Sequence, residues 1–120
     1  MGEGILDNIE DLTEAKLDEV IKEFLQDLED GSYEAKGWPA RLPAYSLSKA
    51  VLNSYTRLLA KEYPGITINC LNPGFVRTDM THDHGSFPVE EGGAVQVWVA
   101  LRPKGTTGLF FNRYEVISYQ

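Results

Sequence analysis

The sequence predicts an α/β fold with parallel strands, and three observations carry that reading. Residues 44–63 form a long stretch without glycine or proline, rich in Ala, Leu, Lys and Ser, which Pro64-Gly65 closes. A short β-branched run follows at residues 66–71 and stops at Asn72-Pro73-Gly74. Helical and strand patterns then recur at residues 89–101 and 109–111. Helix, strand, loop, helix, strand is the alternation found where parallel strands are joined by right-handed crossovers.

The first element precedes this pattern. Leu17, Val20, Ile21, Phe24, Leu25 and Leu28 recur at helical spacing and fall on one stripe, so residues 14–30 are expected to form an amphipathic helix with an acidic outer face. Thr13 is a suitable N-cap, Leu12 and Leu17 occupy staple positions around it, and Gly31 is a natural stop. Residues 31–43 contain Gly31, Gly37, Pro39 and Pro43 and read as a connecting loop that Trp38 pins. In the long helix, Leu47, Val51, Leu52, Tyr55, Leu58 and Leu59 cover more than one face, which suggests burial on two sides. Ile66-Thr67-Ile68-Asn69-Cys70-Leu71 reads as a buried strand. Residues 75–88 show no period and are expected to be a mobile loop. Ala94, Val97, Trp98 and Leu101 mark a third helix, which begins near Val89-Glu90-Glu91 with acids in its first turn as the helix dipole favours. Gly92 and Gly93 would let it approach a neighbour closely. Leu109-Phe110-Phe111 is a last short strand, with Phe110 and Trp98 as core candidates.

Composition narrows the classes of function. The 120 residues hold 18 acids against 11 bases, a net charge of −7, which disfavours general binding to nucleic acid or to an anionic membrane. The charge is uneven: residues 1–34 hold 12 acids and 2 bases, whereas residues 35–120 hold 6 acids and 9 bases. A single cysteine cannot form an internal disulfide, and no apolar run approaches the roughly 20 residues that span a bilayer. The chain is therefore expected to be soluble and cytoplasmic. Cys70, inside the predicted strand, reads as a small core residue rather than a nucleophile. Asp79, His82, Asp83 and His84 have poor zinc spacing, so no metal centre is expected.

Tyr45 and Lys49 are four residues apart on the long helix and project from the same face, one turn from each other. A phenol titrates near pH 10, but a fixed cation nearby favours the phenolate, so such a pair is a reasonable proton donor to a carbonyl oxygen or acceptor from an alcohol. An exposed helical pair without function is the plainer reading of those two residues alone. Their context adds weight. Asn72-Pro73-Gly74-Phe75-Val76-Arg77-Thr78 begins 23 residues after the lysine, at the carboxyl end of a predicted strand. Ligands of open α/β sheets bind beyond such strand ends.

Together, Tyr45-Ser46-Leu47-Ser48-Lys49, Ile68-Asn69-Cys70-Leu71-Asn72-Pro73-Gly74 and Val76-Arg77-Thr78-Asp79-Met80 resemble the second half of a short-chain dehydrogenase/reductase. The acidic segment ending in Glu34-Ala35-Lys36-Gly37-Trp38-Pro39, and Gly108-Leu109-Phe110-Phe111, are similar to the plant branch of salutaridine reductase and menthone or neomenthol reductases. The resemblance implies the C-terminal part of a Rossmann-type doubly wound parallel sheet at residues 44–120, preceded by an acidic helical insertion and loop at residues 1–43. It implies NADPH-dependent reduction of a small terpenoid or alkaloid ketone, or oxidation of the alcohol. Tyr45 would be the proton donor, and Lys49 would lower its pKa and hydrogen-bond the nicotinamide ribose. Pro73, Gly74 and Val76 would line the nicotinamide and Thr78 would offer it a hydroxyl, with Tyr45 and Lys49 also counted among the NADP(H)-binding residues. Residues 79–88 would cover the substrate, with Met80 and Phe87 against it; Trp38 is a further candidate for the pocket.

The same resemblance marks what the 120 residues lack. They contain no Gly-x-x-x-Gly-x-Gly phosphate turn, no Asn-Asn-Ala-Gly segment and no counterpart of the family's catalytic Ser and Asn. The chain alone is expected neither to bind NADPH tightly nor to turn over. The alternative is a non-catalytic interaction module, a monomer or one that associates with a full-length reductase.

Overall fold

The computed structural model describes Leu6 and residues 8–118. They fall into two compact units divided between Leu59 and Ala60.

The first unit is built on helix α1 (Glu14–Asp30) and the greater part of helix α2 (Pro43–Glu62). Both ends of α1 follow the predicted chemistry. The Thr13 hydroxyl accepts the Lys16 N–H at 3.2 Å, and Gly31 takes the left-handed conformation at φ 75° that closes the helix. Leu12 and Leu17, the staple pair, are buried together with Leu6 and Leu58. A second cluster joins Val20, Phe24, Trp38 and Leu47, with the Phe24 and Trp38 rings edge to face at 5.3 Å.

The buried stripe of α1 differs from the expected one. Leu17, Val20 and Phe24 are inside as predicted, but so is Asp27, whereas Leu25 and Leu28 are exposed. The cause is the loop that follows. Trp38 turns in against Phe24, and its indole N–H donates to Asp27 Oδ2 at 2.7 Å, while the Lys36 ammonium donates to Oδ1. The buried face is thereby rotated toward position 27. A buried carboxylate is tolerated only when paired and hydrogen-bonded, and here both oxygens are engaged. The Lys36 hydrogen bond, and after it the Trp38 one, hold the Asp27 carboxyl below the ordinary carboxylate range; Asp27 in turn raises the Lys36 ammonium above the ordinary lysine value.

The second unit holds strands β1 (Cys70–Asn72), β2 (Phe110–Asn112) and β3 (Glu115–Ile117), a short 3₁₀ turn (Asp79–Thr81) and helix α3 (Val89–Ala100). The sheet order is β1-β2-β3. The β1–β2 pair is parallel, as the alternation predicts, with Cys70, Leu71 and Asn72 opposite Phe110, Phe111 and Asn112. Ahead of β1 the pairing continues through side chains. Asn69 accepts the Leu109 N–H at 2.9 Å and donates to the Thr106 carbonyl at 2.6 Å, and the Thr107 hydroxyl accepts the Ile68 N–H at 2.9 Å. The regular strand is therefore shorter than the apolar run suggested, and it is half-buried.

Three features of this unit extend or correct the reading from sequence. β3 pairs antiparallel with β2 across the two-residue loop Arg113-Tyr114, which carries none of the Asn-Gly signals of a tight hairpin. The inner face of α3 is Gly92, Val95 and Val99, whereas Val97 and Leu101 are exposed. Phe111, not Phe110, is the buried aromatic, and it packs with Val95 and Val99, flanked by Leu71, Trp98 and Leu109. Gly92 belongs to this inner face, and its missing side chain leaves room for Val76: a Cβ there would lie 3.0 Å from Val76 Cγ2.

The segment expected to be a mobile loop is laced to its own start. Phe75 O accepts the Ser86 and Phe87 N–H groups at 2.8 and 3.2 Å, and the Arg77 N–H donates to Phe87 O at 2.9 Å, a parallel bridge between Val76 and Phe87. Gly85 lies in the groove this creates, at φ 152°, where a Cβ would stand 2.7 Å from Phe75 O and 2.8 Å from Arg77 N.

Asp27 ionises below the ordinary range, so its contribution is present above pH ~4 and is lost as pH falls toward its folded value. The thermal midpoint of the first unit, followed by circular dichroism, should fall on acidification below about pH 4, and Asp27→Asn should lower it by several degrees at pH 7 and flatten the pH dependence. Gly85→Ala should raise amide exchange at Arg77 and Phe87 by an order of magnitude. By contrast Gly93→Ala, where a Cβ meets nothing within 4 Å, should stabilise the chain by about 0.5–1 kcal/mol in urea unfolding.

Candidate functional site

Tyr45 and Lys49 lie in the first two turns of α2. The helix starts at Pro43, where a fixed φ and a missing N–H suit the first helical position. Leu47 is buried and anchors this end of the helix, and the opposite face carries Tyr45 and Lys49 to the surface. The phenol ring is 60% exposed, and the Lys49 ammonium stands 5.7 Å from its centroid. The Ser48 hydroxyl donates back to the Tyr45 carbonyl at 2.8 Å, so neighbouring Ser48 is engaged with the helix and not with the phenol. The pair presents one acidic proton and one cation on a solvent-facing patch of rigid helix.

In the second unit, the chain turns sharply on leaving β1. The Asn72 side-chain oxygen accepts the Gly74 N–H at 3.0 Å, an Asx-type turn that the intervening proline reinforces. Gly74 adopts φ 91°, and a Cβ there would sit 2.9 Å from the Phe87 ring, so glycine is required on both counts. The Val76–Phe87 bridge employs the amides on either side of Val76, which points the Val76 N–H and C=O away from Phe87. The Val76 carbonyl takes the Thr81 hydroxyl at 2.9 Å, while its N–H has no partner among the described residues. Thr81 also accepts the Thr78 N–H at 3.0 Å, which fixes the start of the 3₁₀ turn and leaves Thr78 exposed.

The predicted residues thus separate into two groups. Tyr45 and Lys49 meet on α2. Pro73, Gly74, Val76, Thr78 and Phe87 gather around the turn after β1, with Phe87 half-buried against Gly74. Met80 is 90% exposed on the 3₁₀ turn. Trp38, 5% exposed, packs into the first core against Phe24. His82 closes the 3₁₀ turn in a left-handed conformation, and among the described residues no cluster of His, Cys, Asp or Glu could hold a metal ion.

Two contributors escape sequence reasoning. Thr81 organises the Val76–Thr78 backbone, and Arg113, far along the chain, donates to the Pro73 carbonyl at 2.8 Å. Only pairing β1 with β2 in register brings Arg113 to that turn, and no local motif signals it.

Comparison with known proteins completes the picture. The family model described as short chain dehydrogenase matches residues 31–88. The chain is 49% identical over 116 residues to short-chain dehydrogenase/reductase 1 of Saponaria officinalis, covering 96% of this chain and 38% of that protein. To the (+)-neomenthol dehydrogenase of Arabidopsis thaliana it is 44% identical over 118 residues, 97% of this chain and 40% of the relative. The solved structure of salutaridine reductase from Papaver somniferum superposes with a TM-score of 0.83 at 41% identity, over 91% of this chain and 37% of that one. The chain spans about two fifths of the length of the relatives it matches. Among the described residues no helix is long and apolar enough to cross a membrane. Motifs, strand pairing and likeness to solved relatives agree, and the chain belongs to the short-chain dehydrogenase/reductase family, with the α/β architecture of its Rossmann-type fold.

Proposed function

We propose that this chain carries the proton-transfer and nicotinamide-facing residues of an NADPH-dependent carbonyl reductase or alcohol dehydrogenase acting on a small terpenoid or alkaloid ketone in the cytoplasm. The observation that carries the reading is the pairing of Tyr45 with Lys49 at 5.7 Å on one exposed helical face, in a chain that also turns at Asn72-Pro73-Gly74 beyond a parallel strand. In this reading residues 44–120 are the reductase part, and residues 1–43 are an acidic insertion packed on α2.

The residues present fit one end of the cofactor. The unpartnered Val76 N–H is a donor suited to an amide group, the Thr78 hydroxyl is exposed, and Pro73 and Gly74 form a side-chain-poor turn. No glycine-rich turn able to cradle a pyrophosphate occurs in the sequence. NADPH, when bound, supplies the hydride. Tyr45 donates the phenolic proton to the carbonyl oxygen as negative charge develops there, and Lys49 provides the positive field that stabilises the phenolate left behind. In the oxidative direction the same phenolate accepts the alcohol proton. Met80 and Phe87 flank the substrate side, and Phe87 is the better fixed of the two.

A second reading is favoured by the open apolar groove of about 500 Å³ between α1 and α2, lined by Leu17, Ile21, Leu25, Leu47, Val51 and Leu52. Here the first unit is a docking face for a full-length reductase. Size-exclusion chromatography of the chain with such a relative should show a complex under this reading, and separate species under the first.

Titration of cofactor fluorescence with the 120-residue chain should show no saturation at micromolar NADPH, and micromolar or tighter binding would refute the need for a separate phosphate site. When the chain supports turnover together with the glycine-rich part of a relative, Tyr45→Phe should lower kcat by at least about 10²-fold. Lys49→Met should likewise lower kcat, by at least about tenfold.

A further inference from the structure

We propose that Arg113 is a positioning residue for the nicotinamide-facing turn, an inference that rests on the reductase reading above. Its guanidinium converges on three separate parts of the proposed site. One nitrogen donates to the Pro73 carbonyl at 2.8 Å, another pairs with Glu91 Oε2 at 3.1 Å, and the central carbon Cζ sits over the Phe87 ring, 3.7 Å from its centroid. Its backbone N–H donates to the Asn72 carbonyl at 2.9 Å. The side chain is only 19% exposed. Arg113 thus ties the turn that would line the nicotinamide, the aromatic ring on the substrate side and the first turn of α3 to one rigid planar group.

The geometry asks for arginine. A planar fork can bond a carbonyl and a carboxylate in two directions while its face stays on an aromatic ring; a lysine ammonium is a point donor and cannot do all three. The residue also occupies a costly backbone position, φ 55°, where a side chain other than glycine or asparagine is uncommon. That conformation is what aims the side chain back toward Pro73. The loop thereby trades backbone comfort for contacts that all end on the proposed cofactor and substrate residues.

The consequence is a fixed orientation of the Asn72–Val76 backbone and of the Val76 N–H. Arg113→Met and Arg113→Lys test it on the full 120-residue chain by amide hydrogen exchange and by titration with reduced nicotinamide mononucleotide, followed by NMR. Arg113→Met should raise exchange at Gly74 and Arg77 at least tenfold, with exchange at Val99 inside α3 and the thermal midpoint unchanged. Arg113→Lys should give an intermediate increase. The unsubstituted chain should show millimolar mononucleotide binding with shifts at Gly74 and Val76, weakened at least fivefold by Arg113→Met. Unchanged Gly74 exchange, or equal binding midpoints in the two chains, would overturn the role of Arg113 alone. Absence of mononucleotide shifts in the unsubstituted chain would overturn the nicotinamide reading and the positioning role with it, even where the exchange effect is seen.

Discussion

The register of the parallel β1–β2 pair is the constraint on which the second unit rests. Asn72 stands opposite Asn112, so the two strands end at the same level and their next residues, Pro73 and Arg113, emerge side by side. A slip of one position would turn every strand side chain to the other face and separate those two residues. Two devices hold the register. Phe111 is buried in a cluster with Val95 and Val99, whereas its neighbours Phe110 and Asn112 are half-buried and exposed. Upstream, the Asn69 amide bonds Leu109 N–H and Thr106 C=O together, a two-point match that a slip would break. Polar side chains thus do the work of a ladder where the backbone pairing is still irregular, and they leave few buried groups unpaired.

The first unit rests on different physics. Its helices are amphipathic and ordinary, but the segment joining them is held by a buried carboxylate. Asp27 is removed from water, and its desolvation is offset by the indole N–H of Trp38 and the ammonium of Lys36. A linker rich in glycine and proline has no regular backbone pairing of its own; a charge-assisted hydrogen bond at one well-defined point orders it with few residues. Trp38 fills the space against Phe24 and supplies the donor at once.

Much of the fold was legible because it is written in local chemistry. Thr13 and Gly31 mark the ends of α1 through backbone groups within four residues, and Asn72-Pro73-Gly74 specifies its turn in the same way. Tyr45 and Lys49 could be paired from spacing alone, since a helix fixes their separation. What escaped was non-local. Asp27 reads as a surface acid until Trp38 folds back on it, β3 has no turn signal, and Arg113 acquires its meaning only from a strand that begins about 40 residues earlier. The inner face of α3 includes Gly92, which a hydrophobic period cannot register although a Cβ there would lie 3.0 Å from Val76 Cγ2.

That contact links two positions through a shared volume. With Val76 Cγ2 only 3.0 Å from where a Cβ on residue 92 would be, the space is fully allotted: a methyl gained at one position must be surrendered at the other, or the helix must retreat. Val76 is flanked by the bridge to Phe87 and cannot withdraw without breaking it. Residues 76 and 92 are therefore coupled through one volume, and the side chain that α3 can carry at position 92 is set by the bulk of the residue in the segment that follows β1.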